Sequence, residues 1–214
     1  MSTDPKIVKG DLSQSVAFMK EKTIILKCGV VAFMLALTLI SMMLVGIPVL
    51  VTQHLGMGME FVGISQGLMM AGGVIGGVIA GVLGSRLKIT SAYLLIMMSG
   101  LVMIPIGLAF LLNVSYSLIY VIITAACALA LTLITMANIQ IVSLIQTETP
   151  TELIGKVMSL VVMLPFLAQA LGQLIFGVVF EQLAALPYVI MFVTAGIVVM
   201  IAIYTGKSFK AYKA

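Results

Sequence analysis

The sequence predicts an all-α membrane protein of six transmembrane helices, on three observations. Of 214 residues, 62% are hydrophobic and only 8% charged, against roughly 25% charged in soluble domains, so no water-soluble fold covers this surface. The apolar residues fall in six runs, each long enough for the roughly 20 residues a helix needs to cross about 30 Å of hydrocarbon. Threaded in alternation, those runs leave all 11 Lys and Arg residues on one side. Lys6, Lys9, Lys20, Lys22 and Lys27 precede or open the first run, Arg86 and Lys88 follow the second, Lys156 follows the fourth, and Lys207, Lys210 and Lys213 follow the sixth. Cytoplasmic loops gather Lys and Arg because the inner leaflet is anionic, so both termini are expected in the cytoplasm and the chain in the cell membrane. Barrel strands would alternate apolar and polar residues over about ten positions, and these runs do not.

The elements follow in order. Residues 1–22 read as a cytoplasmic linker, in which Leu12, Val16 and Met19 recur at helical spacing beside Lys20 and Glu21. That tract is either a short interfacial helix or a solvated tail. Its charges exclude a cleavable signal peptide, so the first span serves as its own insertion signal. Residues 23–206 form the membrane domain, with spans expected at Lys27 to Val51, Phe61 to Gly84, Ser91 to Leu112, Leu118 to Leu144, Val157 to Phe180 and Ala185 to Thr205. Pro48 closes the first, and Thr52 to Gly58 turns the chain outside. Glu60 then opens the second span, where the macrodipole favours a carboxylate. Pro105 and Pro165 predict a kink and a break in the third and fifth spans. Residues 207–214 are a basic tail. The net charge of +4 reflects topology rather than a nucleic-acid face, since the basic residues are scattered over loop ends. Cys28 and Cys127 lie within spans, without metal-ligand spacing, and read as packing residues. No metal or cofactor is expected.

The second span carries two ladders of small residues at four-residue spacing, Gly72, Gly76, Ala80 and Gly84 on one face and Gly73, Gly77 and Gly81 beside it. Glycines spaced this way let a neighbouring backbone approach closely, which supplies contact where lipid offers no hydrophobic drive. Such a face suits static packing or sliding. An internal repeat accompanies it. Glu60-Phe61-Val62-Gly63 returns as Glu152-Leu153-Ile154-Gly155, and Gly81-Val82-Leu83 as Gly177-Val178-Val179. Three spans per copy make the second copy inverted in the membrane, a 3+3 inverted repeat.

Two stretches carry a resemblance. Gly81-Val82-Leu83-Gly84-Ser85-Arg86-Leu87-Lys88 resembles the cytoplasmic signature Gly-x-Leu-Ala-Asp-Arg-x-Gly-Arg of the major facilitator superfamily, keeping the first Gly, the Leu and the Arg. Ser85 replaces the Asp and Lys88 the second Gly, a degeneracy that looks like the second half of such carriers. Gln146 to Ser159, with Pro150, Gly155 and Lys156, resembles the loop between the tenth and eleventh helices of drug-efflux members, macrolide-efflux-like proteins among them. The resemblance covers about residues 11 to 206. It implies the C-terminal six-helix half of a carrier that exports amphipathic small molecules by alternating access, an antiporter whose coupling carboxylates would lie in the other half. Arg86, Lys88 and Lys156 would then form the cytoplasmic gate. The implied partners are the bilayer, the substrate, and either an N-terminal six-helix half or a second copy.

For the substrate site, Thr124, Thr135 and Asn138 lie within about a 60° arc of the fourth span at 100° per residue, with Gln140 nearly opposite. Met34, Thr38, Ser41 and Met42 form a comparable stripe on the first span. Thioethers adapt their shape and a few polar groups orient a ligand, a combination suited to bulky amphiphiles. Hydroxyls in spans also bond back to their own helix. Gln169 and Gln173 stand one turn apart on the fifth span, where they line a polar path or pair with Gln66 as structural glue. No ionisable residue lies in the middle of a span, so this chain shows no proton relay. Glu60, Glu181 and His54 sit at outer ends. No nucleophile and base, nor any metal-ligand grouping, supports an enzyme. The alternative to a carrier is a truncated or scaffold membrane protein without transport of its own.

Overall fold

The computed structural model describes residues 21–83, 91–112 and 114–213. Residues 1–20, with most of the interfacial-helix tract, and residues 84–90, with Arg86, Lys88 and most of the cytoplasmic signature, lie outside them. Six apolar helices long enough to span a membrane make up the described chain, with no strand among the described residues. They are α1 (Thr23–His54), α2 (Met59–Leu83), α3 (Ala92–Leu111), α4 (Tyr116–Glu148), α5 (Ile154–Gln182) and α6 (Pro187–Lys213). The all-α, six-span fold class is thus observed, each helix lying within a few residues of its apolar run except that α6 continues eight residues past it.

Local chemistry explains the irregularities. α1 carries two wide π-turns, Ala36–Ile40 and Leu50–His54. The second follows Pro48, which has no N–H to donate back along the helix. α3 is interrupted at Val102 and Met103 just before Pro105, as its proline predicts. α5 corrects an expectation: it runs unbroken through Pro165, so this proline removes one backbone hydrogen bond without ending the helix.

Contacts at the two ends fix the alternation. At one end Lys22 Nζ, just before α1, pairs with Glu148 Oε2 at the close of α4, at 3.4 Å. At the other, His54 closes α1 and its Nε2 lies 2.6 Å from the Ala184 carbonyl in the α5–α6 turn. At that same end the Phe61 and Tyr120 rings, from the starts of α2 and α4, meet edge to face at 5.3 Å. Lys22, Lys27, Lys156 and Lys207 all belong to the first of these, the basic end.

The helices pack in the order α2, α4, α3, α6, α1, α5, and α1 also touches α4. This order is unchanged when α1 is exchanged with α4, α2 with α5, and α3 with α6. Because α1 and α4 run in opposite directions, the exchange inverts the molecule across its mid-plane, which is the relation a 3+3 inverted repeat requires. The outer helices are α2 and α5. In the 18-residue apolar stretch of each, 22% of the residues are buried, against 39–50% in the other four. The core between them is aliphatic and thioether-rich, with Leu39, Met43, Ile96, Met103, Ile123 and Met191 fully enclosed, and Cys28 and Cys127 buried in it.

Each outer helix lies parallel to its inner neighbour along a small-residue seam. On α2, side chains at Gly72 and Gly76 would collide with the carbonyls of Ala128 and Thr132 on α4. Thr132 Oγ1 donates to the Gly72 carbonyl (2.8 Å) and lies within bonding distance of its own helix's Ala128 carbonyl (2.9 Å). On α5, a side chain at Gly172 would collide with Leu37 and Ser41 of α1. Ser41 Oγ reaches the Gln169 carbonyl (2.9 Å) and its own helix's Ala36 carbonyl (2.7 Å). The π-turn brings that last carbonyl, five residues back, within reach. Interhelical bonds of this kind contribute roughly 0.6 kcal/mol each, and at most about 1.7.

Candidate functional site

Where α1, α4 and α5 meet on the face away from α3 and α6, their side chains leave a cavity of about 230 Å³. The α1 wall is Ala32, Leu35, Ala36 and Ile40, which includes part of the first π-turn. The α4 wall is Ile134, Asn138, Ile141 and Val142, and the α5 wall is Val161, Val162, Pro165, Phe166 and Gln169. Eleven apolar residues and two carboxamides compose it. Gln169 lies 15 residues from the start of α5 and 13 from its end, hence about 20 Å from either. That is the middle of a helix long enough to span a membrane. Among the described residues no hydrogen bond engages the Asn138 or Gln169 side chain.

The other predicted site residues scatter according to their neighbours. Met34 is exposed on α1, and the half-buried Thr38 donates back to the Met34 carbonyl at 2.6 Å. Ser41 and Met42 are buried, Ser41 in the α1–α5 seam. Thr124 is buried too, sharing a 2.8 Å hydrogen bond with Ser65 of α2. Thr135 is half-buried facing Gly73, and Gln173 is half-buried one turn beyond Gln169. Lys156 stands in the first turn of α5 at the basic end. Of the five glycines singled out, Gly72 and Gly76 make the close backbone approach, Gly73 rests on Leu131, and Gly77 and Gly81 face open space. Helical projection gives a residue's angle but not which helix stands there.

Three features escaped sequence reasoning. His54 is a tether, with its ring at 5.9 Å from Phe110 of α3 and both nitrogens facing carbonyls, Ala184 and more distantly Val49. It borders a larger open bowl of about 910 Å³ at the end away from the lysines, with Phe110, Tyr116, Tyr188 and Pro187 on its rim. Aromatics at that level are what a membrane interface attracts, so this bowl marks the headgroup zone rather than a mid-membrane site. Thr132 gave no sequence signal beyond being a hydroxyl on a long helix. Gln140 is 8% exposed and both atoms of its amide lack a partner among the described residues, an arrangement that burial makes expensive.

No family model matches the chain, nor does a curated protein or a solved structure.

Proposed function

We propose that the chain is the C-terminal-type half of a membrane carrier that exports amphipathic small molecules by alternating access, with the basic end in the cytoplasm. One observation carries the reading. The exchange of α1 with α4, α2 with α5 and α3 with α6 leaves the order of packing unchanged and inverts it, while a cavity whose two carboxamides are unengaged among the described residues opens beside the inner helices. An inverted repeat flanking a mid-membrane site is the arrangement that lets one site face either side by rocking. The face bearing Asn138 would be covered by a second six-helix unit, either another chain or a second copy. Polar groups at this depth require cover. The motif resemblance in residues 146–159 supports the export direction.

The test is retention of an amphipathic fluorescent dye in loaded cells that make the protein. Efflux should fall several-fold in Asn138→Leu while the amount inserted in the membrane stays the same. Unchanged efflux removes Asn138 from the site, and equal retention with and without the protein favours a non-transporting scaffold.

A further inference from the structure

We propose that the α1–α4–α5 cavity selects an uncharged, hydrogen-bonding group of the substrate, such as an amide, urea, lactam or alcohol, and rejects cationic amphiphiles. This rests on the carrier reading and names the substrate class of its site. Three observations lead to it. No residue on these three walls is ionisable, so they offer a cation entering the cavity no counter-charge for its lost hydration, whereas a neutral polar group loses far less. Asn138 and Gln169 supply both donors and acceptors, and neither is engaged within the described chain. Pro165 has no N–H, so the carbonyl of Val161, one turn back on the same wall, lacks its ordinary helical donor and adds a third acceptor.

Size sets a further limit. The cavity holds about 230 Å³, below the roughly 300–1,000 Å³ of a whole ligand pocket. At about 30 Å³ per water it has room for some seven or eight waters, hence for one amide-sized group with a short stem. The remainder of an amphiphile would lie along Phe166 and against the covering unit.

The chain contains no tryptophan, so Phe166→Trp places a single reporter on the cavity wall. The protein would be purified with its native lipids and any covering unit. It would then be titrated with two probes sharing one brominated alkyl chain, an N-alkylacetamide and an alkyltrimethylammonium, and the quench absent from the unsubstituted protein would be followed. The acetamide should quench saturably, bind roughly tenfold more weakly in Asn138→Leu/Gln169→Leu, and be little affected in Asn138→Gln. The ammonium should neither quench saturably nor compete. Equal or tighter ammonium binding, or unchanged acetamide affinity in the double variant, overturns the proposal. Heat-induced exposure of the buried Cys28 and Cys127 to a thiol dye reports whether each variant is folded. Preference for ammonium would sink the neutral class and leave the carrier reading standing. Saturable acetamide binding without dye efflux would sink the carrier reading instead.

Discussion

A single methyl group decides how closely α2 lies on α4. At Gly72 it would overlap the Ala128 backbone, which cannot give as a flexible side chain can, so Gly72→Ala should push the helices apart and break the Thr132 bond to the Gly72 carbonyl. The expected loss is about 1–3 kcal/mol, read as a lower temperature for thiol-dye labelling of Cys28 and Cys127. Gly77→Ala meets open space and should stay within about 0.5 kcal/mol of the parent. Both ladders are visible in the sequence, but the rotation of α2 about its axis, which assigns the contact to Gly72 and Gly76, is set by the neighbour. Gln140 predicts the opposite sign. Replacing its unpartnered amide by a side chain of similar volume, Gln140→Leu, should raise the unfolding midpoint, for a stabilisation of about 1–2 kcal/mol. A fall would mean the amide has a partner, water included. Thr124 shows the limit of a helical wheel: it shares an arc with Asn138, yet its hydroxyl is bound to Ser65 because α2 crosses there.

Helix extents are largely legible, because hydropathy and loop charge report the same boundary physics. α4 continues to Glu148 where an end near Leu144 is expected, and α6 runs to Lys213 rather than Thr205. Gln146 and Thr147 on α4 and Lys207 on α6 are exposed, and such polar and basic side chains let a helix continue past the hydrocarbon. The prolines are less legible. Pro105 interrupts α3 and Pro165 leaves α5 whole, although each deletes one backbone donor. The presence of a proline therefore does not by itself decide whether its helix is interrupted. Pro165→Ala restores a donor to the Val161 carbonyl and closes one acceptor of the cavity. Dye efflux should drop several-fold while the unfolding temperature holds or rises; undiminished efflux would remove that carbonyl from the account. At the two seams, Ser41→Ala and Thr132→Ala should destabilise by similar amounts, up to about 1.7 kcal/mol, since each hydroxyl joins an inner helix to its outer neighbour.

On the scale of the whole molecule, the basic residues and the short turns already dictate six alternating spans, and the packing order adds the inversion that a weak four-residue repeat only suggests. Which face stays open is not written in composition. It follows from α2 and α5 each resting chiefly on one partner, which leaves the cavity beside α1 and α4 open on that side. The central claim is that this site opens to both sides of the membrane. It is tested most directly by replacing the buried Cys28 and Cys127 with alanine, introducing Asn138→Cys, and treating right-side-out and inverted vesicles of the native membrane with a membrane-impermeant thiol reagent. Alternating access predicts labelling from both sides, with excess substrate-like amphiphile shifting the ratio. Labelling from one side only, or from neither, would contradict it.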